Sequence, residues 1–514
     1  MGLGRPARIA LAYPSPYRVA MSSLGYQTIY RTLHEAGLCT HRAFLPDGWG
    51  RNALPWPRPP TTILTYEGRA PLSAHRVVAL SVAYELELAG VVRLLEAAGI
   101  PPLARDRHER DPIVVAGGPL TFSNPYPLLP LVDVLVLGEA EHLVADLFDD
   151  LLRAPTRSSA LAAAERCSHA VLGEVGAPYG ADLPPVGKAP RAMLPARSAI
   201  VTSDTELADM FLVEPERGCS RPCTFCVMRR TTNGGMRLFS ADEVLATIPE
   251  DARRVGLVGA AVTDHPQLEA IVHRIVEGGR GIGISSLRAD RLTPSLLAAL
   301  RRGGYRQITV ASDGISERMR TLLDRRIRED HLRTAAERVA EAGFSGLKVY
   351  EMIGAPEETD DDVTELIEFA RELASIVPLT LTFSTFVPKR NTPLDGAPFV
   401  GVAASRARLD RIRRALRGTV SIRPQSPKWA HVEYLLARAG SEGGHAAVAA
   451  VRAGGGYRAW CAAFEGLPPG TRPLRYGDEE AWARRKGLAA LRVPARLRKT
   501  PRRSEGRSAA VDTS

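Results

Sequence analysis

The residues with the most definite chemistry are three cysteines in the run Glu216-Arg217-Gly218-Cys219-Ser220-Arg221-Pro222-Cys223-Thr224-Phe225-Cys226. Gaps of three and two residues fold a short loop in which Cys219, Cys223 and Cys226 converge on one face of an iron–sulfide cubane. The fourth iron of such a cubane is left without a protein ligand, and an open iron can bind a substrate or cofactor. The competing chemistry is a structural zinc site, which closes its tetrahedron with four Cys or His ligands. The nearest histidine in sequence is His265, so no fourth zinc ligand stands beside the loop.

Such a loop must be carried on a rigid element. From about 206 to about 425 the chain alternates strand patterns, at 211–214, 254–258, 281–285, 307–311, 347–352, 380–386 and 420–423, with amphipathic helical patterns such as 294–302, 330–342 and 361–374. Six or seven βα units predict a partial or full parallel barrel, whose active site lies at the carboxyl ends of the strands. The cysteine loop directly follows the first of these strands. Residues 1–150 alternate in the same way, with strand patterns at 9–13, 77–84, 113–116 and 132–137 and helical patterns at 20–36 and 86–98. That order predicts a doubly wound, Rossmann-like parallel sheet that takes ligands beyond its strand ends. Those ends carry Pro14-Ser15-Pro16, Ser81 to Glu85, Gly117-Gly118-Pro119 and Gly138-Glu139. Residues 151–205 read as a linker with a short helix near 158–166, and 426–492 as a small helical region in which Trp429, Tyr434, Tyr457 and Trp460 form a packing cluster.

Composition bounds the rest. A chain of 514 residues implies two or three domains, and 45% hydrophobic with 24% charged residues is ordinary for a soluble globular protein. The chain lacks a long apolar window and a signal-peptide pattern, so a cytoplasmic protein with no membrane partner is expected. Six cysteines are too few for a disulfide scaffold, and Cys39, Cys167 and Cys461 read as buried small hydrophobes in a reducing compartment. The net charge of +10 is concentrated in part in residues 493–514, where Arg496, Arg498, Lys499, Arg502, Arg503 and Arg507 stand among Pro, Ser and Gly. With no aromatic residue to stack a base, this stretch reads as a solvated, disordered tail, and nucleic acid is not the expected partner. The chain has no Ser-His-Asp order, no P-loop and no H-E-x-x-H.

The cysteine run resembles the signature of the radical S-adenosylmethionine (radical SAM) superfamily, C-x3-C-x-aromatic-C, with Phe225 at the aromatic position. The resemblance implies a 4Fe-4S cluster whose open iron chelates the amino and carboxylate groups of SAM, with Phe225 against the adenine. Gly256-Leu257-Val258-Gly259-Ala260-Ala261 stands where the family carries a glycine-rich stretch contacting the SAM amino group. Its usual acidic member is missing, so Gly259 and Ala260 would act through main-chain atoms. Ser285, Ser286 and Arg288 would meet the ribose and carboxylate of SAM, unless Arg288 pairs with Asp290 at the surface. Asp313, in Ala311-Ser312-Asp313-Gly314, replaces the family's usual Glu before Gly, and Ile353 and Gly354 would bracket adenine. Lys348 and Glu351 have opposite parity on their strand, so at most one faces the barrel interior.

Taken with Phe386-Val387-Pro388-Lys389 and with Gly138-Glu139-Ala140-Glu141 in the N-terminal region, the pattern over roughly 8–470 is similar to the cobalamin-binding radical SAM proteins. That resemblance implies an α/β fold in which a Rossmann-like cobalamin-binding domain (1–150) precedes a radical SAM partial TIM barrel (206–425). Ser81, Tyr84, Gly117, Gly118, Gly138 and Glu139 would contact cobalamin. Asp106-Arg107-His108-Glu109-Arg110-Asp111 departs from the D-x-H-x-x-G element of cobalt-ligating proteins and reads as a polar loop, which would leave the lower face of cobalt without a protein histidine. The implied chemistry is reductive cleavage of SAM, hydrogen abstraction from an unactivated carbon and methyl transfer from methylcobalamin, assisted by a reducing partner such as flavodoxin or ferredoxin. Alternatives are a radical cyclase or oxidase with or without cobalamin, a methylthiotransferase, and a non-catalytic iron-sulfur or zinc protein binding RNA through its tail. Methylthiotransferases need three further N-terminal cysteines, whereas only Cys39 and Cys167 precede the barrel region. The substrate, small molecule or peptide, is not named by the sequence.

Overall fold

The computed structural model describes residues 8–48, 62–173, 182–228 and 235–467. The basic stretch 493–514 lies outside the described residues. The N-terminal strands are β1 (Ile9–Pro16), β2 (Thr40–Leu45), β3 (Val77–Ser81), β4 (Ile113–Gly117), β5 (Val134–Val136) and β6 (Ala170–Leu172). They form one sheet in the order β2-β1-β3-β4-β5-β6, parallel except for β6, which runs antiparallel to β5. Side chains alternate across it with the two-residue period of a strand. Ala10, Ala12, Val78, Leu80, Val114 and Ala116 enter one apolar core, and Ile9, Leu11, Val77, Ala79, Ile113 and Val115 enter the other. Burial on both faces is why these strands read as unbroken apolar runs.

The two faces are covered from distant parts of the chain. Helices Leu24–Glu35, Val144–Arg153 and Arg157–Ala164 cover one. The other receives Leu88–Ala97 together with Pro427–Ala437, Glu442–Arg452 and Tyr457–Glu465, so the C-terminal helices complete the N-terminal core. The four C-terminal aromatics are therefore divided. Trp460, 1% exposed, sits in the sheet core, whereas Tyr434 stacks on Phe399 at 5.4 Å in a separate cluster. Residues 151–205 are more structured than a linker. They supply a helix and β6, pair Gly187 with Gly138 and bridge Arg197 to Val213. Gly138 lies at φ +85°, and a Cβ there would stand 2.6 Å from the Gly187 amide nitrogen, so only glycine lets this strap approach. Cys39, Cys167 and Cys461 are half-buried rather than buried, and Cys167 packs at the margin of the core on one face of the sheet.

The second half contains β7 (Met210–Val213), a hairpin of β8 (Glu216–Gly218) and β9 (Met236–Leu238), then β10 (Arg254–Leu257), β11 (Gly281–Ile284), β12 (Ile308–Ala311), β13 (Leu347–Ile353), β14 (Leu379–Thr385) and β15 (Ser421–Pro424). Two parallel sheets, β11-β10-β7 and β12-β13-β14-β15, are joined by a parallel bridge between Leu287 and Val310. One apolar core binds these strands to their helices. Capping sets several helix starts: Thr293 accepts the Leu296 N–H before Pro294–Arg302, and Thr359 with Asp362 forms a capping box before Asp360–Ile376. Among the described residues no helix is long and apolar enough to cross a membrane.

Because Trp460 belongs to the N-terminal core, Trp460→Ala should cost about 3–5 kcal/mol there. Hydrogen exchange should show faster opening of β3 and β4 with little change in β13 and β14.

Candidate cluster site and adjoining cavity

The cysteine loop leaves the hairpin strand β8 and turns at the carboxyl ends of the second-half strands. Cys219 and Cys223 are buried and Cys226 half-buried. The loop is tied down by the Thr224 N–H, which donates to the Leu323 carbonyl at 3.0 Å, and the Arg221 N–H lies 3.4 Å from Cys219 Sγ. Burial pushes all three thiols up, Cys226 to about 11, so the thiolate forms need compensating positive charge.

A cavity of about 340 Å³ opens beside these sulfurs. Phe225, Ala260, Arg288 and Asp313 line it, as do Arg221, Asp264, Ser286, Arg325, Tyr350, Thr382, Ser384 and Gln425. Gly259 faces the adjoining cavity described below, and Ser286 rather than the exposed Ser285 reaches the lining. Ile353 and Gly354 do not line either space. Ile353 is buried in the apolar core, and Gly354, at φ +78°, donates its N–H to Glu358 at 2.8 Å. Arg288 does pair with Asp290, at 2.9 and 3.0 Å, but the pair is not at the surface. The guanidinium is buried, and its Nη1 has no hydrogen-bond partner.

Several groups of this site were not anticipated. Burial works to raise Asp264, but hydrogen bonds from Arg221, one at 2.7 Å, hold it below the usual carboxylate range. Burial raises Asp313 against the pull of Arg325, whose Nε lies 2.7 Å from Asp313 Oδ2. Glu216 supplies the carboxyl that positions 260 and 261 lack. It accepts the Ala261 N–H at 2.8 Å, and a Cβ on Gly259 would stand 2.2 Å from its Oε1. Burial pushes Glu216 up to about 7. Its place directly before the cysteine loop was the available signal. On β13, Tyr350 lines the cavity opposite Thr382 of β14, and Lys348 shares its side. Glu351 points the other way, where burial pushes it up to about 8 despite the nearby Arg320.

A second cavity, of about 600 Å³, lies beyond the carboxyl edge of the N-terminal sheet. Ser81, Gly117, Gly118, Gly138 and Glu139 line it and Tyr84 does not. It runs as an apolar slot past Leu11, Ala79, Val115 and Phe148 to a polar end with Glu139, Glu141, Glu214, Glu216 and Arg217. Ala260 lines both cavities, so they adjoin. Arg217 donates to Glu214 at 2.8 and 2.9 Å and to Glu141 at 2.6 Å, with Glu139 at 3.4 Å. Glu139 also accepts from Arg237 and from the Ala189 N–H at 2.8 Å, so its carboxylate is already engaged.

Residues 213–370 match the family model of the radical SAM superfamily, and residues 25–170 match the model for radical SAM proteins, N-terminal. The chain carries radical SAM domains over both stretches, and that membership supports an enzyme. An uncharacterized protein of Methanocaldococcus jannaschii is 26% identical over 331 residues, 61% of this chain and 68% of that protein. Among solved structures, the cobalamin-dependent S-adenosylmethionine radical enzyme OxsB, with aqua-cobalamin and S-adenosylmethionine bound, aligns with TM-score 0.49 at 15% identity. That alignment covers 73% of this chain and 53% of OxsB. SuiB of Streptococcus suis, bound to S-adenosylmethionine, aligns with TM-score 0.32 at 14% identity over 42% of this chain and 50% of SuiB. This chain thus spans about half the length of either enzyme.

Glu351 gives a pH signature. Because its folded pKa stands above the unfolded one, the stability it contributes is present below about 4.5 and is lost as pH rises through about 8. Glu351→Gln should therefore gain on the parent protein in thermal unfolding midpoint between pH 5 and pH 9.

Proposed function

We propose that this chain is a cobalamin-dependent radical SAM enzyme that methylates an unactivated carbon. The observation that carries the reading is the meeting of two differently built cavities at Ala260, one beside the three cysteines and one at the edge of a doubly wound sheet. We read the second-half strands as a partial barrel with its mouth turned toward that sheet.

The residues suit the groups involved. Three cysteines, two of them buried, converge on one cavity wall and suit a cluster whose iron carries positive charge. The unpartnered Arg288 Nη1 suits the carboxylate of SAM, and Ser286 and Asp313 present polar atoms around the same space. The larger cavity suits an elongated ligand whose apolar end enters the slot, while an amide-bearing rim donates to the glutamates. A Cβ on Gly118 would lie 2.7 Å from the Val82 carbonyl oxygen, so glycine keeps backbone close to this space. When bound, the cluster supplies the electron that opens SAM's carbon–sulfur bond, and cobalamin supplies the methyl group. Arg288 would orient SAM, Glu216 would fix the loop 259–261 between the two ligands, and the sheet domain would keep water from the junction. Flavodoxin or ferredoxin would suit the role of electron donor.

The test is anaerobic reconstitution with iron, sulfide and cobalamin, incubation with SAM and dithionite as the electron source, and mass spectrometry of the SAM products. Both 5′-deoxyadenosine and S-adenosylhomocysteine are expected; deoxyadenosine alone would indicate a cyclase or oxidase instead. Replacing Cys219, Cys223 and Cys226 together by Ala should abolish iron binding and both products. Ala79→Leu, which fills the slot, should weaken cobalamin retention at least about tenfold, roughly 1.4 kcal/mol, with iron content unchanged.

A further inference from the structure

Arg325 stands on a turn with an unusual backbone. Its neighbours Asp324 and Arg326 lie at φ +49° and +57°, and its ion-pair partner Asp313 at φ +63°, so three non-glycine residues around one guanidinium are left-handed. Such conformations persist only where the surroundings over-determine them, and they gather at functional sites. The surroundings here are the cysteine loop. The turn accepts the Thr224 N–H at Leu323 and is braced by the Arg325 N–H, which donates to the Arg320 carbonyl at 2.8 Å. The Arg325 side chain is 11% exposed, donates through Nη2 to the Ala311 carbonyl at 3.0 Å and lies 2.7 Å from Asp313. It also lines the cavity beside the three sulfurs.

We propose that Arg325 sets the reduction potential of the cluster on Cys219, Cys223 and Cys226 through its buried positive charge on the wall of the cavity it shares with them, with Asp313 as the counter-charge that trims the effect. The inference rests on those cysteines holding a four-iron cluster. One-electron reduction, with the electron drawn from an external low-potential donor, adds negative charge to the cluster and its thiolates. Hydrogen bonds to the sulfurs and nearby cations stabilise the reduced form and raise its potential. A permanently charged guanidinium in the same buried site is such a cation, and no proton need be exchanged for it to act. Asp313 opposes it, because a carboxylate 2.7 Å away neutralises much of that charge at the sulfur. The two residues should therefore shift the potential in opposite directions, which a purely structural brace would not do.

The experiment is a redox titration of the reconstituted holoprotein, with dithionite as reductant and the midpoint read by electron paramagnetic resonance, alongside iron analysis. Arg325→Met should disfavour reduction about tenfold, a fall of about 59 mV for one electron. Arg325→Lys should fall less, because it keeps the charge and loses the fork. Asp313→Asn should raise the midpoint. An Arg325→Met protein with normal iron and an unshifted or raised midpoint would overturn the proposal, and so would a lowered midpoint in Asp313→Asn. Should Arg325→Met fail to take up iron, Asp313→Asn and Arg325→Lys decide the matter by the same signs. Failure of the unmodified protein to bind about four irons would instead overturn the cluster reading itself, and iron analysis distinguishes the two.

Discussion

Arg217 fastens the two halves of the molecule together at the point where their chemistry would meet. Its guanidinium stands on the cysteine hairpin and is shared among Glu214 beside that hairpin and Glu139 and Glu141 of the N-terminal domain. Most of this network is withdrawn from water, so its members depend on one another. Removing one partner of a buried pair typically costs about 3–5 kcal/mol, because the remaining charge is left uncompensated. A second pin lies elsewhere along the junction, where Lys389 donates to Glu85 and to Glu433, both at 2.7 Å. Between them these contacts fix which surface of the doubly wound sheet faces the cysteine loop. The placement of both cavities follows from that choice.

The junction also explains the unusual composition of the loop 259–261. The family stretch that this loop resembles carries its own acidic side chain, whereas here Glu216 reaches in from the adjacent hairpin and Gly259 leaves room for it. The carboxyl is thus tied to the cysteine strand rather than to the turn, so any displacement of the hairpin is felt at the wall between the cavities. Arg288, Arg221, Asp264 and Asp290 form a comparable linkage on the other side of the loop. Charge in this region is arranged in chains of shared partners, and the cysteines are embedded in them.

Much of this was legible in the sequence. The strands that carry the cavities were readable because burial on both faces gives short apolar runs, and the cysteine spacing marked the loop beside which one cavity opens. β2 was missed because Thr40-His41-Arg42 looks polar, although Arg42 is buried against Glu67 and a ring of tyrosines. β8 and β9 were missed because a three-residue hairpin has no periodicity to detect. At the site, residues in or beside glycine-rich strand ends could be named, but Asp264, Arg325 and Glu216 act through pairings set by tertiary approach. Ser285 and Ser286 show the limit of such reading, since a one-residue change of register decides which side chain reaches the cavity.

The packing of the last helices on the first sheet has a bearing on how the molecule is made. As the chain leaves the ribosome, the first sheet has one face covered early, while the other, begun by Leu88–Ala97, is completed only by Val432, Ala447 and Trp460 far along the chain. The usual order, in which an N-terminal unit closes before the next begins, is therefore unavailable to it.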